Sequence, residues 1–334
     1  MRMSWAWLVL AVLVLSCNTQ PMKVLKPIPD AAYAKGVSAP FCGRIQDVLV
    51  VAGGANFPDR PLLEGGAKRV YADIWAYTGR QWLRAGSLPD STAYGATFTL
   101  GDSLILAGGN VSGTTTDHVY QLYLHNGKAV IKKLPNLPVP MEQCGWTQDG
   151  ETLFLAGQEG VFRCEAGEYR WEKVADLPEP LVQPVAYARG GKFFVWGGYN
   201  PETLEVSPRG WCLSEGAWLE APAIPDDGTF VGATGATLKD GRLVVVGGVN
   251  REIFARALHN TPEDRIPYLS HEPEWYQFRQ NIYVFDGERW ALAAWAAECA
   301  LAGPGVAVFP DGLYVAGGEL KPGVRSSKIF KLSL

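Results

Sequence analysis

Six times along the chain an apolar run closes on a glycine turn: "DVLVVAGG", "DSLILAGG", "ETLFLAGQ", "KFFVWGG", "RLVVVGG" and "GLYVAGG". The first glycines are Gly53, Gly108, Gly157, Gly197, Gly247 and Gly317, so most units are about fifty residues long and the last step is longer. A run that is apolar on both sides suits an inner strand covered on both faces. A glycine at its end admits a neighbouring backbone at close range. After most runs comes a strand bearing an aromatic, then an aromatic-led strand closed by a Pro-containing turn, as in "VYADIWAYTGRQWLRAGSLP" and "GVFRCEAGEYRWEKVADLP". Such a unit leaves its faces uncovered unless another stacks on it, so the repetition predicts a stack of small antiparallel sheets. A β-sandwich gives no reason for the same motif to recur six times.

The unit resembles the kelch motif, and the resemblance implies an all-β, six-bladed kelch-type β-propeller. The ring must close. The last unit stops after "SKIFKLSL" without its Leu-Pro strand, and "KVLKPIPDAAYAKG" near the start matches "RAGSLPDSTAYG" of the following unit. Residues near 23–29 are therefore predicted to complete the sixth blade beside 327–334, pairing the N-terminal strand with the C-terminal blade and removing a sheet edge. Residues 23–334 are expected to form one domain.

Before the ring comes "MRMSWAWLVLAVLVLSC", with Arg2, an apolar run from Trp5 to Leu15, then Ser16 and Cys17. The run is too short to span a bilayer and suits a secretory signal. "VLSC" resembles a bacterial lipobox, which implies a lipoprotein-type signal peptide over 1–16, lipidation of Cys17 and a short tether over 17–22. A plain signal peptide is the alternative. Either places the chain in a bacterial cell envelope, periplasmic or lipid-anchored to the outer membrane. The formal net charge of −4 gives no reason to expect a nucleic-acid partner. His118, His125, His259 and His271 are scattered, with no H-x-x-x-H or C-x-x-C spacing, so neither a metal site nor a cofactor is expected. Cys42, Cys144, Cys164, Cys212 and Cys299 are odd in number and irregularly spaced; they read as buried small apolar residues, with no disulfide framework to deduce. A monomer and a homodimer both remain open.

In a propeller the loops after the glycine turns, and those leading into each innermost strand, line one mouth of the central channel. The first set carries Asn56, Asn110, Gln158-Glu159, Asn200, Asn250 and Glu319; the second offers Tyr94, Gln143, Gln183 and Phe230. Asn and Gln are ordinary turn residues, but a ring of hydrogen-bonding groups also suits a polyhydroxylated ligand. Two loops after glycine turns are long: "ANFPDRPLLEGGAKRVYADIW", which contains Lys68 and Arg69, and the stretch from Val249 to about Asn281, which contains Arg251. Both are expected to overhang the same mouth, and "REIFARALHN" in the second has helical spacing. In "GGELKPGVR", Lys321-Pro322-Gly323-Val324 suits a type II turn, which would bring Glu319 and Arg325 opposite one another across a hairpin.

Three segments carry a closer resemblance: "GGELKPGVRSS", "AGGANFPD" through "GGAKRVYADIW", and "VVGGVNREIFARAL" through "FRQNIYVFD". They are similar to segments of the kelch-type N-acetylneuraminate epimerases, the sialic acid mutarotases, in a cyclically permuted arrangement with the Glu/Arg blade last. The resemblance implies an isomerase without metal or redox cofactor that converts α-N-acetylneuraminate to the β-anomer by acid/base ring opening and reclosure. It implies Glu319 as the proton-transfer group and Arg325 as the anchor of the sugar carboxylate. Asn56, Asn200 and Asn250 are candidates for the N-acetyl and glycerol arms, Tyr94 for the mouth, Lys68 and Arg69 as second-rank candidates for the carboxylate, and Arg251 for a further substrate contact. The competing reading is a non-catalytic kelch propeller that binds glycan or protein at the cell envelope. A sialidase would need S-x-D-x-G-x-x-W boxes, which do not occur.

Overall fold

The computed structural model describes residues 22–333, so the predicted leader, Cys17 and the tether up to residue 21 lie outside the described residues. The predicted tether ends one residue too late, because Met22 already belongs to a strand.

Six four-stranded antiparallel sheets are present among the described residues. Their innermost strands are Phe41–Ile45, Ala96–Leu100, Gly145–Asp149, Val185–Arg189, Ala233–Thr237 and Gly305–Phe309. Each of these packs against the next and the last packs against the first, so the sheets form a closed ring around a channel. In the first five sheets, consecutive strands pair in chain order. The sixth takes Gly305–Phe309, Gly312–Ala316 and Ile329–Leu332 from the end of the chain and Met22–Val24 from its start. Met22 pairs with Leu332, Lys23 with Lys331 and Val24 with Phe330, and the Leu25 N–H donates to the Ile329 carbonyl at 2.8 Å. The predicted closure is therefore observed. Leu25 and Ile28 are buried in the same cluster as Tyr33, Trp75 and Trp82, which joins the sixth sheet to the first.

The glycine repeat has a local cause. Gly108 has φ 65°, and a Cβ there would lie 2.3 Å from the Met141 carbonyl of the loop leading into the next sheet. Backbone comes comparably close at the other first glycines except Gly157, a carbonyl at Gly53, Gly247 and Gly317 and the Phe230 nitrogen at Gly197. In that third unit the chain turns straight back, with Gly157 paired to Gly160 in a tight hairpin, so no second glycine is called for.

The long stretch after Gly248 contains α1 (Arg251–Leu258), as its apolar spacing predicted. A second helix that the apolar spacing did not reveal, α2 (Pro262–Ser270), follows. Its start was written in Thr261-Pro262-Glu263-Asp264: the Thr261 backbone N–H and hydroxyl both donate to the Asp264 carboxylate, at 3.0 and 2.8 Å.

Candidate active site

The six innermost strands are led in by residues that share an unusual backbone. Ala39, Tyr94, Gln143, Gln183, Gly232 and Gly303 all have positive φ, between 50° and 71°. They are linked around the channel: the N–H of Tyr94 donates to Ala39, that of Gln143 to Tyr94, that of Gln183 to Gln143, that of Gly303 to Gly232 and that of Ala39 to Gly303, at 2.7–3.0 Å. Left-handed backbone at a residue other than glycine costs on the order of 1–3 kcal/mol and concentrates at functional sites. Four of the six positions accept that cost, so the collar is over-determined by its own hydrogen bonds. Below it lies a chamber whose wall includes Tyr94, Gln143, Gln183, Thr234 and Glu319. The Gln183 side-chain amide donates to that of Gln143 at 2.6 Å. Three of the four residues predicted for this position are in place. Phe230 is a correction: the equivalent residue is Gly232, two positions on, and Phe230 is fully buried with its ring 5.1 Å from that of Trp290.

Glu319–Lys321 and Val324–Arg325 form the predicted hairpin, with Glu319 opposite Arg325 and Gly323 at φ 84° as a type II turn requires. The Glu319 backbone exchanges both hydrogen bonds with Ala302, at 2.7 and 2.9 Å, which fixes the carboxylate at the chamber wall. Its Oε1 accepts the Gly323 N–H at 3.0 Å and is ion-paired with the Arg325 guanidinium. The Glu319 side chain is 26% exposed and that of Arg325 only 4%. Arg325 Nε also donates to the Ala55 carbonyl at 3.3 Å, and Phe57 covers the guanidinium 5.2 Å from its ring centroid. Glu319 thus faces the chamber while Arg325 stands behind it, buried and already paired. The arginine holds the carboxylate in place and is itself covered, where the sequence led us to expect an open fork for the sugar carboxylate.

Both long loops meet over this hairpin, as expected. Leu62 of the first loop packs on Gly323, and the turn at Leu62–Glu64 touches α2. Lys321 Nζ donates to the carbonyls of His271 at 2.5 Å and Leu269 at 3.4 Å, tying the hairpin to the end of α2. Burial, then Tyr276 and then the Glu319 carboxylate raise the Tyr268 phenol above its ordinary pKa, which puts this α2 residue within electrostatic reach of Glu319. No sequence pattern singled out Tyr268; it became visible only once α2 was placed.

The remaining candidates divide. Lys68 lies with Nζ 4.8 Å from the ring centroid of Tyr94, at the mouth. It is exposed and has no carboxylate partner among the described residues. Arg69 is spent on Asp59 at 3.0 Å and Arg251 on Asp227 at 2.5 Å. Asn56 is a correction: it is 1% exposed, donates to the carbonyls of Ala32 and Gly36 at 2.8 and 2.7 Å, and accepts the Tyr71 hydroxyl at 2.7 Å. It is a strut between the first loop and the segment that follows the closure strand, with no group left for a ligand. Asn200 accepts the N–H groups of Glu202 and Thr203 in its own turn. Asn250 caps α1 through the Ile253 N–H at 3.0 Å. Both act locally, as their residue type allows, and neither lines the chamber. The five cysteines among the described residues are free and buried, and burial alone pushes the Cys42 thiol up to about 12.

Comparison with known proteins points the same way. The family model for N-acetylneuraminate epimerase matches residues 134–334. The N-acetylneuraminate epimerase of Vibrio cholerae serotype O1 is 33% identical over 123 residues, 33% of this chain and 32% of that protein. The enzyme of the same name from Yersinia pestis (strain Pestoides F) is 24% identical over 225 residues, 60% of this chain and 57% of the other. The matched region thus spans between about a third and somewhat over half the length of these curated relatives. The solved structure of YjhT superposes with a TM-score of 0.60 over 90% of this chain and 94% of that one, at 11% identity, a likeness of fold.

Proposed function

The chain belongs to the N-acetylneuraminate epimerase family, and from that premise we propose that it is a sialic acid mutarotase that converts α-N-acetylneuraminate to the β-anomer, with Glu319 as the proton-transfer group. The observation that carries this reading is a partly exposed carboxylate fixed at the wall of the channel by a backbone bridge to Ala302 and by a buried arginine behind it. Mutarotation needs little more. One group takes the proton from the anomeric hydroxyl while the ring oxygen gains one, the bond between C2 and the ring oxygen breaks, and C2 becomes a ketone. C2 then presents its other face and the ring recloses with the protons returned. A single carboxylate, alone or with a water, serves both transfers by general acid–base catalysis.

Pairing with Arg325 keeps the Glu319 carboxylate oriented toward the chamber. The carboxylate of the sugar is then held by a different cation. Lys68 is the predicted cation that has no carboxylate partner among the described residues, and its position over Tyr94 supports that role. The amides of Gln143 and Gln183 lie in the same chamber and suit the hydroxyl and N-acetyl groups. The chamber itself is small, about 120 Å³, which suits the reacting end of the sugar with the remainder beneath the two loops. The test is proton NMR of freshly released α-N-acetylneuraminate. The β-anomer should appear faster with protein than without, and appearance at the spontaneous rate would leave the chain a sugar- or protein-binding propeller.

We also propose that the chain is exported and lipid-anchored, on the strength of "VLSC" at its leader. Expressed with that leader in a bacterium, it should incorporate labelled palmitate, and Cys17→Ala should abolish the label.

A further inference from the structure

The central channel has a second chamber at its other end. The two share a wall at Cys42, Thr97, Trp146, Ala186, Gly235 and Val306. The second holds about 420 Å³, within the ~300–1,000 Å³ of small-ligand sites. Its wall carries the hydroxyls of Thr97, Thr99, Thr147 and Thr237, the amide of Gln148 and the indole of Trp146. Its rim carries Arg44, Arg189 and Lys239, contributed by the first, fourth and fifth sheets. Two of these cations are steadied by neutral groups: Arg44 Nη1 donates to the Gln46 carbonyl at 2.9 Å and Arg189 Nη1 to the Asp286 carbonyl at 3.0 Å. The acids nearby are otherwise engaged. Asp149, which itself lines the chamber, accepts the Gly190 N–H at 2.8 Å, Asp240 pairs with Arg242 at 2.6 Å, Asp286 pairs with Arg289 at 3.6 Å, and Asp102 accepts from Gln46 at 3.5 Å. Among the described residues, none of the three rim cations has a carboxylate within ion-pair distance.

We infer that this opposite mouth is a second binding site, separate from Glu319, for a small carboxylated sugar. Each part of the wall answers one part of such a ligand. Rim cations take the carboxylate by charge-assisted hydrogen bonds, which a guanidinium makes in pairs. Threonine hydroxyls and the Gln148 amide match ring hydroxyls, and Trp146 offers a flat apolar face to the C–H side of a pyranose. The rim selects charge and the wall selects hydroxyls; a neutral sugar or a simple carboxylic acid meets only half of the site. The site requires no chemistry and does not depend on the chain being an enzyme.

Calorimetric titration with N-acetylneuraminate and, separately, with glucuronate tests this. The wild-type chain should bind N-acetylneuraminate in two classes of site. In the triple variant Arg44→Ala, Arg189→Ala, Lys239→Ala one class should weaken by at least about tenfold, as expected for lost charge-assisted contacts, while the rate of anomer conversion stays that of the wild type. Glucuronate should bind the wild type and lose the same class in the variant, and glucose should not compete. Because Lys239 is exposed, Lys239→Glu alone leaves the fold intact and should weaken the same class, which keeps the test valid if the triple variant fails to fold. Identical titrations of wild type and Lys239→Glu, so that no class of site responds to the rim charge, would overturn the inference. Competition by sialyllactose would assign the ligand to the end of a glycan and its failure to the free acid; both results support the site. Absence of anomer conversion in the wild type, with the second class still present, would count against the mutarotase reading alone.

Discussion

Removing residues up to 28 tests whether the ring is held by its own two ends. The deletion strips Met22–Val24 from the edge strand Ile329–Leu332 and takes with it Leu25, 7% exposed, and Ile28, 6% exposed. Burying two such side chains contributes about 3–6 kcal/mol. The Trp82 indole N–H, which donates to the Lys26 carbonyl at 2.8 Å, is orphaned as well, at a cost of about 1–3 kcal/mol. The loss of roughly 4–9 kcal/mol is a large part of the ~5–15 kcal/mol that holds a typical domain together. Its effect is not confined to the sixth sheet, because Leu25 and Ile28 pack with Trp75 and Trp82 of the first. We therefore propose that residues from 23 onward melt as one unit. Thermal unfolding followed by circular dichroism should show the midpoint fall by more than about 10 °C, or no cooperative transition at all, together with association through the bared edge in gel filtration. The double variant Leu25→Ala, Ile28→Ala, which keeps the backbone pairing, should fall part of the way. A truncated chain that stays monomeric and melts within about 3 °C of the parent would refute the reasoning.

Further outcomes follow from single sites. Arg325→Lys keeps the charge but not the fork, so the proposed activity should lose about 10–100-fold in kcat with KM within about threefold; a large rise in KM at unchanged kcat would return Arg325 to the role of substrate anchor. Gly108→Ala forces a Cβ to within 2.3 Å of the Met141 carbonyl in left-handed backbone and should cost more than about 2 kcal/mol in urea unfolding. Gly157→Ala, whose nearest neighbour is the movable Glu159 carboxylate at 3.1 Å, should cost under about 1 kcal/mol. Burial pushes the Cys42, Cys144 and Cys299 thiols up to about 12. A group with a raised folded-state pKa leaves stability unchanged below its unfolded value, near 8.5, and erodes it above, by up to about 1.4 kcal/mol per pH unit for each thiol. The stability lost between pH 8 and pH 10 should therefore be smaller in Cys299→Ala than in the wild type by about 2 kcal/mol; equal losses would contradict the burial of that thiol.

The architecture was legible because its causes are local and repeated. A strand that must end against the next sheet's backbone needs glycine there, and the one unit that departs from Gly-Gly is the one that turns back on itself. The closing strand was legible because "KVLKPIPDAAYAKG" carries the pattern that the last unit lacks. The polar residues after the glycines were harder to read. Asparagine serves a ligand, a helix cap, a turn or a buried strut with the same amide, and only burial and partners show that Asn250 is a cap, Asn200 a turn former and Asn56 a strut. The cover over Arg325 was hidden for a similar reason. Its exposure is decided by Ala55 and Phe57, some 270 positions away in sequence, and no feature of "KPGVR" reports that cover. The left-handed backbone of the collar was hidden because neither Ala39, Tyr94, Gln143 nor Gln183 is a residue type that announces a positive φ; they share only a register relative to the glycine turns.

The central claim rests on one carboxylate, and one pair of measurements tests it most directly. Wild-type chain and Glu319→Gln are each mixed with freshly released α-N-acetylneuraminate, conversion is followed by proton NMR, and binding of the equilibrated sugar is measured in parallel. Glutamine keeps the shape and the acceptor oxygen for Gly323 but cannot exchange a proton at neutral pH. The account predicts that the wild type speeds the appearance of the β-anomer, while Glu319→Gln binds the sugar and leaves conversion at the spontaneous rate. Wild-type conversion in Glu319→Gln would contradict it.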